Sequence, residues 1–215
     1  MDSLIGTVPD HWAEYRLDEV CAILAGPSTA QINSKERRST DIPVVMPRDL
    51  RNNRIADACA VGVTSEVADE LSRYRLLPND IVCSRTGHLG RQALVSANQR
   101  GWLPGSACLR LRAGQLISAP YLVYYLGHPV VQDWIIRNTS GAVIPSLSTK
   151  MLGSLPVVVP PTVVQNDTAD ILSALDEKII VHERISRITA DLRDAILPRL
   201  MAEADPASSV DSPTT

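Results

Sequence analysis

The sequence predicts an α+β fold: a mixed domain with a small β-sheet and short helices, followed by one long, coiled-coil-forming α-helix. Three observations predict it. Up to residue 161 the apolar stretches are short, and most of them end at Pro or Gly turns, as short strands and helices do. After Pro160-Pro161 apolar residues recur at Leu172, Leu175, Ile179, Ile185, Ile188, Leu192 and Ile196, mostly three or four apart. Hydrophobic residues make up 45% of the 215, enough to build a core and to exclude wholesale disorder.

Taken in order, residues 1–15 read as an irregular lead-in, with a turn at Val8–Trp12. Leu17–Leu24 is a short apolar element stopped by Ala25-Gly26-Pro27. Ile42–Met46 reads as a strand and leads into the basic segment Pro47–Ile55. Thr64 is placed to cap a helix running to Leu71. Strands are expected at Ile81–Ser84, Gln92–Ala97 and Ala107–Leu111, with a polar loop, Arg85–Arg91, after the first. Tyr121–Leu126 and Val130–Arg137 read as two short helices broken by His128-Pro129. A small-residue loop, Asn138–Lys150, precedes a strand at Leu155–Val159.

The long helix is expected over Val163–Leu197, about 50 Å at 1.5 Å per residue. Thr162 and Gln165 have capping-box spacing at its start. His182 falls on or near its apolar stripe and reads as a packed histidine. The domain is expected to span 1–161 and the helix 162–201, with 202–215, rich in Ser, Pro, Asp and Ala, as a disordered tail.

Several function classes are excluded. No uncharged apolar run reaches the length needed to span a bilayer. Met1–Trp12 has two acids and no basic residue, so no signal peptide is expected and the expected compartment is the cytoplasm. Cys21, Cys59, Cys83 and Cys108 stand 38, 24 and 25 residues apart, without the paired spacing of a zinc site. They read as buried small hydrophobes. There is no P-loop, no G-x-G-x-x-G and no H-E-x-x-H, so neither a cofactor nor a metal is expected. Ser84 and His88 could serve as nucleophile and base, but no orienting acid accompanies them, and loop polarity is the plainer reading.

Net charge is −3, which alone argues against nucleic acid. The distribution argues for it. Lys35–Arg54 holds six basic residues against three acids, and Arg73–Arg112 holds seven arginines against Asp80 alone. Residues 163–205 hold nine acids against five bases. Such asymmetry marks a local anion-binding surface or, more blandly, a solvated face in an arginine-rich composition. Arg, Ser, Thr and Gly in the loops are the residue types that contact phosphates and base edges.

The order of segments resembles the DNA-specificity subunit of type I restriction-modification systems: one target-recognition domain and the helix that follows it. The matching stretches are Pro9–Trp12 with Leu17–Val20; Leu77–Gly87 with Gly90-Arg91; Pro120–Leu126; Gln132–Ile135; Gly141–Ser148; and Leu155–Pro161 with Gln165, Ile171-Leu172 and Leu175–Ile179. The resemblance implies a non-catalytic subunit. It would bind double-stranded DNA and direct a DNA methyltransferase subunit and a restriction/translocase subunit to a bipartite site. The usual subunit has two recognition domains and two long helices, and this chain has length for one of each. The other readings are a defence-associated interaction protein that keeps the fold without sequence readout, and a hydrolase built on Ser84 and His88.

The residues expected to face DNA, in one cleft, are Arg48, Arg51, Arg54, Ser84, Arg85, Thr86, His88, Arg91, Ser146, Ser148 and Lys150. The stripe Leu172, Leu175, Ile179, Ile185, Ile188, Leu192 and Ile196 is expected to pair with its copy in an antiparallel homodimer. Two identical domains related in that way would read an interrupted palindrome.

Overall fold

All five residues of the strand Asp80–Ser84 are buried, so it is covered on both faces. This is seen in a computed structural model that describes residues 1–32, 35–36, 38, 41–56, 59–139 and 145–203. Side chains alternate along a strand. Ile81 and Cys83 accordingly join one core and Val82 another.

That strand lies inside a six-stranded sheet ordered Cys21–Ala25, Cys108–Ala113, Asp80–Ser84, Gln92–Leu94, Asn53–Ile55, Leu50–Arg51. Neighbours are antiparallel except Gln92–Leu94 with Asn53–Ile55. A four-stranded sheet is ordered Leu103–Pro104, Ile42–Val45, Val61–Val63, Lys35–Glu36. Ala13–Arg16 pairs with Pro156–Val159, so part of the expected irregular lead-in is a strand whose partner lies some 140 residues away.

The largest core packs Ile81, Leu109 and Leu111 with Leu122, Leu126, Val131, Ile135, Leu17 and Val157. Fully burying an aliphatic side chain of this size contributes roughly 1.5–3 kcal/mol. Its helices are Ala119–Gly127 and Pro129–Arg137. The Ser118 hydroxyl caps the first by accepting from the Tyr121 amide at 3.3 Å. His128 ends that helix and caps the next, and Pro129 opens the second because a first-turn residue needs no amide hydrogen. The Tyr121 and Tyr125 hydroxyls donate to the Val158 and Pro156 carbonyls, each at 3.0 Å.

Leu17–Leu24 divides into a one-turn helix, Leu17–Val20, and the strand Cys21–Ala25. Thr149–Gly153 is a helix where a loop is expected, with Ser148 as its cap. Gly141–Ile144 and the tail from 204 lie outside the described residues. All four cysteines are buried as thiols.

The long helix runs Thr162–Glu203, 42 residues, or about 63 Å. The chain divides into two compact units, Met1–Asp170 and Ile171–Thr215, so the helix begins in the first. Gln165 does not close a capping box. Its buried amide instead accepts from the Ser118 N–H at 2.7 Å and donates to the carbonyls of Leu116 (3.0 Å) and Pro160 (2.8 Å). In the second unit Leu175, Ile179, Ile185, Ile188, Leu192 and Ile196 are exposed, and Leu172 is partly covered. His182, expected to be packed, is exposed as well. No helix among the described residues is long and apolar enough to cross a membrane.

Candidate nucleic-acid interface

The two polar loops meet. Arg85 donates its backbone N–H to Ala107 at 2.8 Å and accepts from the Leu147 amide at 2.9 Å, while Thr86 and Ser146 form an antiparallel bridge. Gly87 and Gly90, with φ of 79° and 83°, let the 85–91 loop double back. The Ser84 amide then closes it on the Arg91 carbonyl at 2.8 Å.

Ser84 is fully buried, and its hydroxyl donates to the main-chain carbonyl of His88. This corrects its expected place at the surface: it braces the loop from inside, and the His88 imidazole is not its base. His88, Ser148 and Lys150 are exposed, and Arg85, Thr86, Arg91 and Ser146 are half-buried. Ser148 accepts from the Met151 amide at 3.0 Å, so its hydroxyl has a capping duty as well. The Arg85 Nε is buried without a hydrogen-bond partner.

The basic segment 47–55 is not an arm. Its Asp49 is buried and accepts from the Met46 amide at 2.8 Å, closing a 3-10 turn over Pro47–Asp49 rather than pairing with Arg48. A hairpin follows, turned by Asn52 and Asn53 with φ of 48° and 59°, values that asparagine tolerates better than most residues. Its register sets Arg51 directly opposite Arg54. Arg48, Arg51 and Arg54 are all exposed.

Arg51 and Arg91 share an open hollow of about 430 Å³, with Asn53, Gln92 and Gln132 along its wall. Sequence reasoning missed these three amides. The Asn52-Asn53 pair, a turn signal inside a basic segment, could have pointed to the first.

The arginine excess of 73–112 is partly structural. Arg112 pairs with Asp80 at 2.7 Å, and Arg75 with Asp69 at 2.6 Å. Arg73 lies over the Tyr74 ring, 4.5 Å from its centre. Arg110 is buried and donates to the Arg73 carbonyl at 2.9 Å; burial, aided by the charge of Arg112, lowers its pKa. Among the described residues no group of three or more His, Cys, Asp or Glu side chains is placed to hold a metal ion.

A family model described as "Type I restriction modification DNA specificity domain" matches residues 9–190. The chain belongs to that family. One relative of this DNA specificity domain is a putative type I restriction enzyme MjaX specificity subunit from Methanocaldococcus jannaschii. It is 25% identical over 181 residues, covering 81% of this chain and 42% of the relative. The HsdS subunit from Thermoanaerobacter tengcongensis superposes with a TM-score of 0.61 at 17% identity, over 84% of this chain and 41% of that one. The type I restriction-modification S subunit from M. genitalium gives 0.62 at 15% identity, over 94% and 49%. Likenesses at such identity establish the fold. The specificity domain spans less than half the length of these relatives.

Proposed function

We propose that this specificity domain recognises double-stranded DNA without catalysis of its own. It would direct a partner adenine methyltransferase, and with it a restriction/translocase subunit, to a bipartite site in the cytoplasm. The family match over residues 9–190 carries the reading. The surface that suits it is the pairing of Arg51 with Arg54 beside Arg91, continuous through the 85–91 loop with Ser146. Arg48, Arg85, Thr86, His88, Ser148 and Lys150 complete the proposed set of contacts, and Ser84 leaves it.

Each phosphate contact contributes about one unit of salt slope. Titrating duplex binding against salt for Arg51→Ala and Arg91→Ala is the test. A slope about one unit shallower in each supports the reading, and slopes and affinities identical to wild type remove both residues.

We infer further that the chain forms a homodimer through the long helix. The support is the exposed stripe from Leu175 to Ile196, every member of which is at least 39% exposed. Covering side chains that are already about half buried contributes roughly 1 kcal/mol each, a part of the value for full burial. An antiparallel pairing would cover both stripes and present two inverted half-sites. Light scattering should give a dimer for wild type and a monomer for Leu175→Asp, Leu192→Asp; a wild-type monomer at tens of micromolar rejects the pairing.

A further inference from the structure

The hollow between Arg51 and Arg91 contains a chain of side-chain amides whose orientations are fixed. The Gln132 Nε2 donates to the Leu126 carbonyl, which can only accept. Its second hydrogen goes to the Gln92 Oε1 at 3.4 Å. The Gln92 Nε2 in turn faces Asn53 and donates to its Oδ1 at 3.0 Å. The order is thus set from one end, and Gln92 cannot flip without breaking contacts on both sides. One N–H and one carbonyl lone pair of its amide remain for a ligand.

Two glycines make room for this chain. A Cβ on Gly90 would stand 1.7 Å from the Gln132 Oε1, and one on Gly127 would stand 2.6 Å from the Gln92 Nε2. Gly127 ends the helix Ala119–Gly127, and Gly90 closes the polar loop. Gly90 clears space for Gln132, and Gly127 clears space for Gln92 and Asn53. Gln92 itself sits on the strand Gln92–Leu94, paired with Cys83 of the central strand, so its backbone is rigid.

A fixed amide with one donor and one acceptor matches the major-groove edge of adenine, which offers N7 as acceptor and the N6 amino group as donor. Guanine offers two acceptors there, and cytosine only a donor. Arg51 and Arg91 line the same hollow and bring positive charge to it.

We propose that Gln92 reads one adenine of the target, with Gln132 and Asn53 as positioning residues and Gly90 and Gly127 as the space they need. This rests on the DNA-recognition reading above and adds a base and a residue to it. The test is selection from a pool of random-sequence duplex DNA with the full chain, followed by equilibrium binding to the selected site and its single-base variants. Wild type should select a motif with an A·T pair at which any substitution weakens binding about tenfold or more. Gln92→Leu should flatten that position alone, at unchanged salt slope. Gly127→Ala, which leaves Gln92 in the chain, should flatten the same position. A Gln92→Leu protein that keeps the full motif, or weakens all positions equally, overturns the assignment of Gln92. A wild-type chain that binds duplex but selects no motif overturns the base reading on which this rests.

Discussion

Asp80 and Arg112 lie opposite each other on neighbouring strands, and the carboxylate takes two guanidinium nitrogens at 2.7 Å each. The same carboxylate, 1% exposed, accepts the Leu77 amide at 2.8 Å. One buried anion therefore ties the turn Leu77–Asp80, where Asn79 has a φ of 68°, to the middle of the sheet. Asp80→Ala removes three hydrogen bonds and strands Arg112, whose side chain is 38% exposed and so partly relieved by water. Chemical denaturation should show a loss of about 2–4 kcal/mol. A loss under about 1 kcal/mol would mean that the pair does not hold the turn.

Gln165 is another buried polar residue with a structural duty. Gln165→Leu keeps the volume and leaves the Ser118 amide and the Leu116 and Pro160 carbonyls without their partner. A buried group left unsatisfied costs roughly 1–3 kcal/mol, so the melting temperature should fall by several degrees. Proteolysis should also quicken near Pro160, just before the helix begins. Unchanged cleavage would assign the start of the helix to packing alone.

The tyrosine pair predicts a smaller effect. Tyr121→Phe and Tyr125→Phe each remove one hydrogen bond to the strand Pro156–Val159 and leave the ring in place. Each should cost about 1 kcal/mol. The double variant should be close to the sum unless the rings, 6.1 Å apart, reorganise together.

The thiols give a pH dependence. Burial pushes Cys21 and Cys108 from the ordinary 9.0 up to about 12, and Cys83 higher still. Below pH 9 the folded and unfolded chains both carry thiols, and this contribution to stability is fully present. Above pH 9 the unfolded chain ionises and the folded one does not, so stability declines towards pH 12. At pH 8 alkylation of these cysteines should be slow and should follow unfolding. Rapid labelling under native conditions would place a thiol at the surface.

Much of the fold was legible because local patterns announce it. His128-Pro129 divides two helices as expected, and Thr64 occupies the N-cap position of the helix Ser65–Glu70, although its side chain makes no capping hydrogen bond there. The three–four spacing after Pro161 gave the long helix. What stayed hidden depends on distant partners. Ala13–Arg16 becomes a strand only beside Pro156–Val159, and Gln165 gives up a local cap for contacts 47 and 49 residues away. The candidate interface was half visible for the same reason. Charge counts found Arg51 and Arg91. They could not separate these from Arg110 and Arg112, which serve the sheet, or find Gln92 and Gln132, whose arrangement exists only after helix and strand have met.

The placement of Arg51 and Arg54 on the last two strands of the central sheet has a thermodynamic consequence. A basic tail that orders on contact with DNA gives up chain entropy at that moment and shows a large negative heat-capacity change from coupled folding. Here the segment 47–56 is already hydrogen-bonded before any duplex arrives. Its ordering belongs to the folding free energy of the protein. If the segment contacts DNA as proposed, the heat-capacity change that calorimetry attributes to it should reflect only the surface buried in that contact.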